Sequence, residues 1–582
     1  MVEELDDLGI RAQPLGHLPL VTAILDDLGV TAVLDELLPK DPRSKVSDSD
    51  CVTAMVLNIL GGRTALYRME QWTKKLPVDV LIGPHCEPED FTDSRLAKTL
   101  DHLFSAGTDT LLSSVVKLYL SREDRPKTYS IHQDTTSAKV FGAYENEAPE
   151  WSPTPRFGYS KDHRPDLKQI VFGLTLHGSL GLPMVSTMFD GNTSDKYMNG
   201  FHIESLAHLL PEEDEVTLVA DSKLVDAALL GALLDQGMHF ISLVPRTFGA
   251  RAAAVELLAA EPDDLPELGR TPARKRSHPD TLYRGRSYDL PFMVRRPGSA
   301  EAEATQLRFL AIHSDALAAK FEASLPAKLD KERRHIEKRL RALNNKPFSC
   351  EKDAQKALDK LLTTGTLHIL AGHVEGFDVP GKRPRGRPRV DAPPPEMERR
   401  YRLILNDCTQ DADAIDKLRR SKSHLVLITD HMDRDSHSDA DLLAEYRHQH
   451  LVEGTCGFRW LKGPTQLAPI FLKKPARIAG LGLVFILALM VRNYLQFTVR
   501  GKLSEEEGTL PYYDRKRSTD TPTAEVIWEL FSDLVLLVLT TPGSGPVLRL
   551  QGLSKAQRRV LTMLGLDQAV LVGRNKSRAP SG

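Results

Sequence analysis

Cysteine is scarce in this chain of 582 residues: Cys51, Cys86, Cys350, Cys408 and Cys456 are all it has. No two form a Cys-x-x-Cys pair, which argues against a zinc ribbon and a disulfide scaffold and fits a reducing setting. Charge of one sign is also lacking. Lys and Arg number 76 against 79 Asp and Glu, for a net charge of −3, so any nucleic-acid surface must be local. Long apolar runs are missing too. The longest, Ile478 to Val491 between Arg477 and Arg492, is too short to span a bilayer and predicts a buried helix, with no membrane partner. The opening stretch MVEELDDLGIRAQPLG is acidic and has no apolar core, unlike a secretory signal. No internal repeat is present. What is there is ordinary for a globular protein: 41% hydrophobic and 27% charged residues, enough for roughly two to four structural units at this length.

Residues 1–125 carry apolar residues at three- and four-residue steps, as in VTAILDDLGVTAVLDELL and CVTAMVLNILGG, and predict an all-α domain. Asp48 and Ser49 stand where the second of these helices would be capped. At Tyr129 the period changes. TYSIHQDTTSAKVFG, DLKQIVFGLTLHG and LPMVSTMFDG read as strands, and NGFHIESLAHLL as a helix. EVTLVADSKL, LVDAALLGALLDQG and HFISLVPR follow as strand, helix and strand. Three strands, helix, strand, helix, strand is the order of a ribonuclease-H-like α/β core, an antiparallel meander followed by parallel crossovers, over 126–250. Residues 251–440 read as a fragmented insertion with a basic helix (KLDKERRHIEKRLRAL, with a stripe at Leu325, Leu329, Ile336, Leu340 and Leu343), a Pro/Arg linker and the strands YRLILN and HLVLITD. Helical periodicity returns over 441–510 and, with TAEVIWELFSDLVLLVL, over 511–582, a region where dimerisation is expected.

Three carboxylates fall on these elements in a chemically suggestive way. Metal-assisted phosphodiester cleavage uses two hard cations, one for the attacking oxygen and one for the leaving oxygen, and Mg²⁺ takes carboxylate ligands. Asp134 lies in the first strand, within SIHQDTTSAKVFG, and Asp221 ends the fourth, LVAD. Strands one and four of this topology are neighbours, so the two aspartates are expected to converge. In AEYRHQHLVEG, Tyr446, Gln449 and Glu453 stand at helical steps of three and four, one face offering a third ligand and polar contacts to DNA. Taken singly, an Asp at a strand end is more often a turn or cap residue. Their conjunction carries the reading.

At these residues the chain resembles insertion-sequence transposases of the DDE superclass, in the branch whose third acid lies in a Tyr-x-x-Arg-x-x-x-Glu signature. QDTTSAKVFGAYE, GYSKDHRPDLKQIVFGL, MFDGNTSDKYM, LVADSKLVD and YRHQHLVEGTCGFRWLKGP, with the trailing PIFLKKPARIAGLGLVFILALMVRNYLQ, carry the resemblance over nearly the whole chain. It implies a ribonuclease-H-like catalytic domain and two Mg²⁺ or Mn²⁺ ions on Asp134, Asp221 and Glu453. It implies further a homodimer that synapses double-stranded DNA at terminal inverted repeats and joins it to target DNA, in the cytoplasm at the nucleoid. The alternatives are a catalytically silent DNA-binding relative and a nuclease of the same fold that cuts without joining. Gln449 stands where the signature has Arg. The base expected seven positions after the glutamate is replaced by Trp460, leaving Arg459 and Lys462 as candidate phosphate contacts, and GTCG intervenes. Relatives hold a flipped base with a tryptophan between the second Asp and the Glu. This chain has none there, which leaves Tyr283, Tyr288 or another ring for stacking.

Local basic segments are the expected DNA surface. Pro384 to Pro388, in GKRPRGRPR, resembles an AT-hook in which Arg385 and Arg387 follow an A·T minor groove. The alternative is a disordered basic linker, which Pro-rich sequence favours. Arg274 to Arg296 and Lys328 to Arg341 are further candidates for phosphate contact, and end recognition is expected in residues 1–125. Histidines such as His132, His163 and His177 have no His-x-x-x-His or His/Cys spacing that marks a metal site.

Overall fold

The computed structural model describes residues 9–140, 144, 152–158, 166–261, 265–272, 280–381, 394, 396–454, 456–463, 472–512, 516–540, 547–550 and 552–573. Its centre is a nine-stranded mixed sheet. The strands in chain order are β1 (Thr128–Lys139), β2 (Gln169–His177), β3 (Pro183–Phe189), β4 (Glu215–Ala220), β5 (His239–Leu243), β6 (Glu267–Thr271), β7 (Thr281–Val294), β8 (Glu303–Ser314) and β9 (His424–Thr429). Across the sheet they run β3-β2-β1-β4-β5-β9-β8-β7-β6. The first three form an antiparallel meander. β4 and β5 then add in parallel to β1, each reached through a helix, α1 (Asp195–Leu209) and α2 (Ala227–Asp235). β2 is buried at every position and reads as a continuous apolar run, as a strand covered on both faces must.

The stretch 251–440 is only partly an insertion. β6, β7, β8 and β9 extend the main sheet antiparallel beyond β5. What departs from the sheet is helix α3 (Asp315–Asn344), helix Glu351–Leu362, the two-stranded ribbon of His368–Pro380 with Met397–Gln410, and helix Ala412–Ser423. The expected stripe on α3 makes no coiled coil. Leu340 and Leu343 pack instead with Leu358 and Leu403 in a small core of their own.

Helix α6 (Pro475–Glu505) organises the other half. It is long and apolar enough to cross a membrane, but most of that apolar run is buried inside the protein. It packs on helices Asp48–Leu60 and Asp93–Ser105 and on β3. The approach is close: a Cβ at Gly480 would meet the Leu100 carbonyl oxygen at 2.5 Å. Arg477 clasps Asp101 through two hydrogen bonds of 2.7 and 2.8 Å. Helix Asp48–Leu60 is consequently buried along its whole length. Its cap is Ser47, one residue before the expected pair, in a reciprocal capping box with Asp50.

Two helical expectations fail. The N-terminal region is not all-α: Gly9–Pro14 is a strand. The C-terminal region is not all helical: helix Ala524–Glu529 stops and Val535–Thr540 becomes a strand between Gly9–Pro14 and Val547–Leu550. The aliphatic run VLLVL fits a helix and a strand equally well. An available partner strand distant in sequence decides.

Helix Thr108–Leu120 joins this helical half to the sheet by packing on β3. Burial pushes the Asp109 carboxyl near its start up to about 6, against the opposing pull of the Thr187 and Thr108 hydroxyls. A raised pKa means that the fold favours the protonated acid. This contribution is complete below the ordinary carboxyl value of 3.8 and is lost as pH rises through 6. Asp109→Asn is therefore expected to stabilise the protein by about 2–3 kcal/mol at neutral pH, at 1.36 kcal/mol per pKa unit. Near pH 4 the gain should vanish, so thermal midpoints at pH 4 and pH 7.5 check it.

Candidate functional site

The sheet register brings the two aspartates level. β1 and β4 pair in parallel from Thr128↔Glu215 to His132↔Val219. Asp134 and Asp221 stand two residues beyond that last pair on each chain, at the same offset and on the same face as His132 and Val219. Asp134 sits within β1, half-buried, its Oδ1 accepting from the Thr135 N–H at 2.7 Å. Asp221 leaves the end of β4, where its Oδ1 accepts from the Lys223 N–H at 2.9 Å and caps a short turn. The Ser242 hydroxyl of the next strand's ladder donates to the Asp221 carbonyl at 2.8 Å.

The third acid arrives on helices laid over that face. Helix α4 (Asp439–Arg447) begins at Ser438 with a reciprocal capping box to Asp441. Its apolar side, Leu442, Leu443 and Tyr446, packs on Val219, Ile241 and Leu427 of the sheet. Helix α5 (His450–Glu453) continues it and ends on an exposed Glu453. The Tyr446 hydroxyl lies where all three carboxylates act on it. Burial first, then the charges of Asp221, Glu453 and Asp134, push its pKa up to about 12.

Gln449, expected to touch DNA, is buried instead. Its Nε2 donates to the Gln133 carbonyl at 2.6 Å, and its Oε1 lies 3.4 Å from His132 Nδ1. It pins the glutamate helix to β1 beside Asp134. His132 completes the clamp: fully buried, it holds Glu445 Oε1 at 3.0 Å through Nε2. Burial opposes the Glu445 charge, but His132 and Ser130 outweigh it and hold the carboxyl below its ordinary value. Sequence reasoning assigned neither His132 nor Glu445 a role. A polar residue flanking an acid inside an apolar strand was the available signal.

The GTCG segment ends α5 as two glycines in sequence foretell. Gly454 and Gly457 flank a break before the short helix Phe458–Leu461. A Cβ at Gly457 would lie 2.0 Å from the Val452 carbonyl oxygen. From α6, Asn493 donates to the carbonyls of Cys456 (2.8 Å) and Gly181 (2.7 Å), and Gln496 lies 3.3 Å from the Cys456 sulfur. Polar residues within the most apolar helix therefore fix the turn beside Glu453. Gly457→Ala is expected to displace that turn and lower any activity that depends on Glu453 about 100-fold, the usual result of misplacing a reacting group by about 1 Å. Steady-state rates beside an unchanged circular-dichroism spectrum check this.

Trp460, in the place of the expected base, packs against Arg492, whose guanidinium is 5.7 Å from the ring and bound to Glu525 at 2.8 Å. Arg459 is exposed and Lys462 half-buried on the same short turn. The basic stretch Arg274 to Arg296 is less free for phosphate than its composition implies: Arg284, Arg286 and Arg296 face Asp315, Glu261 and Glu303. Lys331, Arg334, Lys338 and Arg341 of α3 are exposed, with Arg334 and Arg341 paired along the helix to Asp330 and Glu337. Of the candidate stacking rings, Tyr283 is covered by Arg447 at 5.2 Å and Tyr288 lies against Glu261. Arg385, Arg387 and His163 lie outside the described residues, as does most of GYSKDHRPDLKQ.

A family model described as a domain of unknown function, DUF4277, matches residues 10–117, the helical region ahead of the sheet. No curated protein matches the chain.

Proposed function

We propose that the chain is a DDE-type DNA transposase that cleaves transposon ends and joins them to target DNA. The observation that carries this is the register that sets Asp134 and Asp221 level on neighbouring strands, with the helices bearing Tyr446 and Glu453 packed on the same sheet. The strand order β3-β2-β1-β4-β5 supports it, being the order a ribonuclease-H-like core requires. The donor set fits hard divalent cations, because Mg²⁺ and Mn²⁺ take carboxylate oxygens as ligands. Asp134, Asp221 and Glu453 would hold two Mg²⁺ or Mn²⁺ ions, which when bound supply Lewis acidity for phosphodiester hydrolysis and transesterification. The chain's own residues set the geometry. β1 and β4 fix the two aspartates in register. His132, Gln449 and Asn493 hold the glutamate helix and its turn. Tyr446 keeps its proton at neutral pH and stays a hydrogen-bond donor among the acids. Arg459 and Lys462, beside Glu453, are the nearest candidates on this turn for backbone phosphate, and the Arg385–Arg387 segment for a minor groove. A homodimer on paired inverted repeats belongs to the same reading.

The test is incubation of the purified chain with Mg²⁺, labelled DNA carrying the inverted repeats that flank its gene, and plasmid. Cleavage followed by joining is expected. Cleavage without joining would indicate a nuclease, and binding alone a silent relative. Full strand transfer by Asp221→Ala would remove the proposed triad.

A further inference from the structure

A second cluster of metal-ligating groups lies in the helical region, on side chains that the proposed DNA chemistry does not use. Asp50, in the first turn of helix Asp48–Leu60, faces His85 and Cys86. Ligand atoms of the three lie within 4.8 Å of one another, and Asp50 and Cys86 are buried. Local backbone puts them there. The Cys86 N–H closes a turn onto the Gly83 carbonyl at 2.9 Å, which brings consecutive His and Cys side chains to the same carboxylate. Asp50 is already oriented: its Oδ2 accepts from the Ser47 N–H at 2.9 Å and the Ser47 hydroxyl at 2.8 Å. Such outer hydrogen bonds are what fix a ligating carboxylate.

We propose that Asp50, His85 and Cys86 bind one transition-metal ion of the zinc class. A thiolate, an imidazole and a carboxylate are the soft-to-borderline set that Zn²⁺ takes and Mg²⁺ declines. Two ligands of one tetrahedral ion stand roughly 3.3 Å apart when each is about 2.0 Å from it. His85 Nε2 and Asp50 Oδ2 are hydrogen-bonded at 2.9 Å in the metal-free chain, close to that spacing, so an ion would take the place of the proton between them. With all three ligand atoms within 4.8 Å of one another, Zn²⁺ binding would draw the Cys86 sulfur toward the other two. A cavity of about 350 Å³, lined by Ser47, Ser49, Asp35 and His102 among others, adjoins the cluster and leaves space for water as the fourth ligand. Binding deprotonates the Cys86 thiol and leaves a neutral His85 nitrogen to donate its lone pair. The protons pass to solvent. Lys45, held by Glu87 at 2.6 Å, lines the same cavity. The chain would then carry two chemically distinct metal centres, a hard oxygen one in the sheet and this one beneath the helices.

The experiment is a Co²⁺ titration of the reduced, metal-free full chain. One equivalent should give a thiolate-to-cobalt charge-transfer band. Cys86→Ser should abolish the band, and His85→Asn should weaken binding by at least the 10–100-fold that loss of an outer-shell partner costs. Asp134→Ala should leave the band intact, so failure here and failure of the transposase reading are separate results. No band, or a band that survives Cys86→Ser, overturns the site. Should Cys86→Ser not fold, alkylation of the wild-type cysteines mapped by mass spectrometry decides: Zn²⁺ should protect Cys86, and equal labelling with and without Zn²⁺ overturns the site.

Discussion

Asp134→Ala, Asp221→Ala and Glu453→Gln are each expected to lower Mg²⁺-dependent DNA cleavage about a thousandfold, since a metal clamp supplies several kcal/mol and each 1.36 kcal/mol is tenfold. The fold should not suffer. Asp134 and Asp221 are only half-buried and Glu453 is exposed, so replacing one disturbs little packing. The thermal midpoint of each variant without metal should therefore stay close to that of the wild type, lower only by the loss of a local hydrogen bond at Asp134 or Asp221. Added Mn²⁺ should widen the gap. Binding to the native state alone stabilises by about 2.7 kcal/mol at a hundred times Kd, a gain that variants lacking a ligand should largely lose. Cleavage assays and thermal scans with and without Mn²⁺ give both readouts. Wild-type cleavage by any of the three, or equal Mn²⁺ stabilisation of all, would sink the metal assignment.

The second large effect is expected at Arg308, far from the acids in sequence and on β8. Its guanidinium is fully buried and spends its donors on one neighbourhood. It binds the Ser287 hydroxyl at 3.1 Å, the carbonyls of His431 (3.1 Å) and His437 (2.7 Å), and Asp439 at 2.6 Å. Asp439 also accepts from the Ser287 N–H at 3.0 Å. These bonds fasten the loop before α4 and the first turn of α4 itself, the helix that leads to Tyr446 and Glu453. Arg308→Met keeps much of the volume and leaves Asp439 without its buried partner, a change that typically costs about 3–5 kcal/mol. Hydrogen exchange of residues 431–447 should accelerate accordingly, while exchange in helix Asp93–Ser105 should stay as it was. Unchanged protection across 431–447 would show that packing by Leu442 and Leu443 is sufficient without the arginine.

The aspartates were legible because they follow local rules. Asp134 interrupts the alternation of one strand, and Asp221 ends another. The neighbour relation of β1 and β4 then follows from the order of elements. The one helix face expected for Tyr446, Gln449 and Glu453 is not formed: the helix breaks at His448 and Gln449, Gln449 turns in against β1 and Glu453 stays exposed. The groups that hold these acids were not legible. His132 and Glu445 lie on elements that only the folded chain brings together, as do Gln449 and the Gln133 carbonyl, and Arg308 and Asp439. Nothing in the local pattern around Gln449 separates a solvent-facing amide from one buried against a strand. The VLLVL strand was hidden for a related reason, since its partner Gly9–Pro14 lies at the far end of the sequence. Basic composition misled in a different way: Arg284, Arg286 and Arg296 have acidic neighbours across strands that sequence order does not reveal.

The pairing of Gly9–Pro14 with Val535–Thr540 bears on how the molecule is made. On the ribosome Gly9–Pro14 emerges long before Val535–Thr540, the strand it pairs with. Helix Asp48–Leu60 waits as well, because α6, which covers it, also comes late. Until α6 and Val535–Thr540 have been made, the nascent chain carries an incompletely covered apolar helix and an unpaired strand, and the helical region reaches its final packing only after both have emerged.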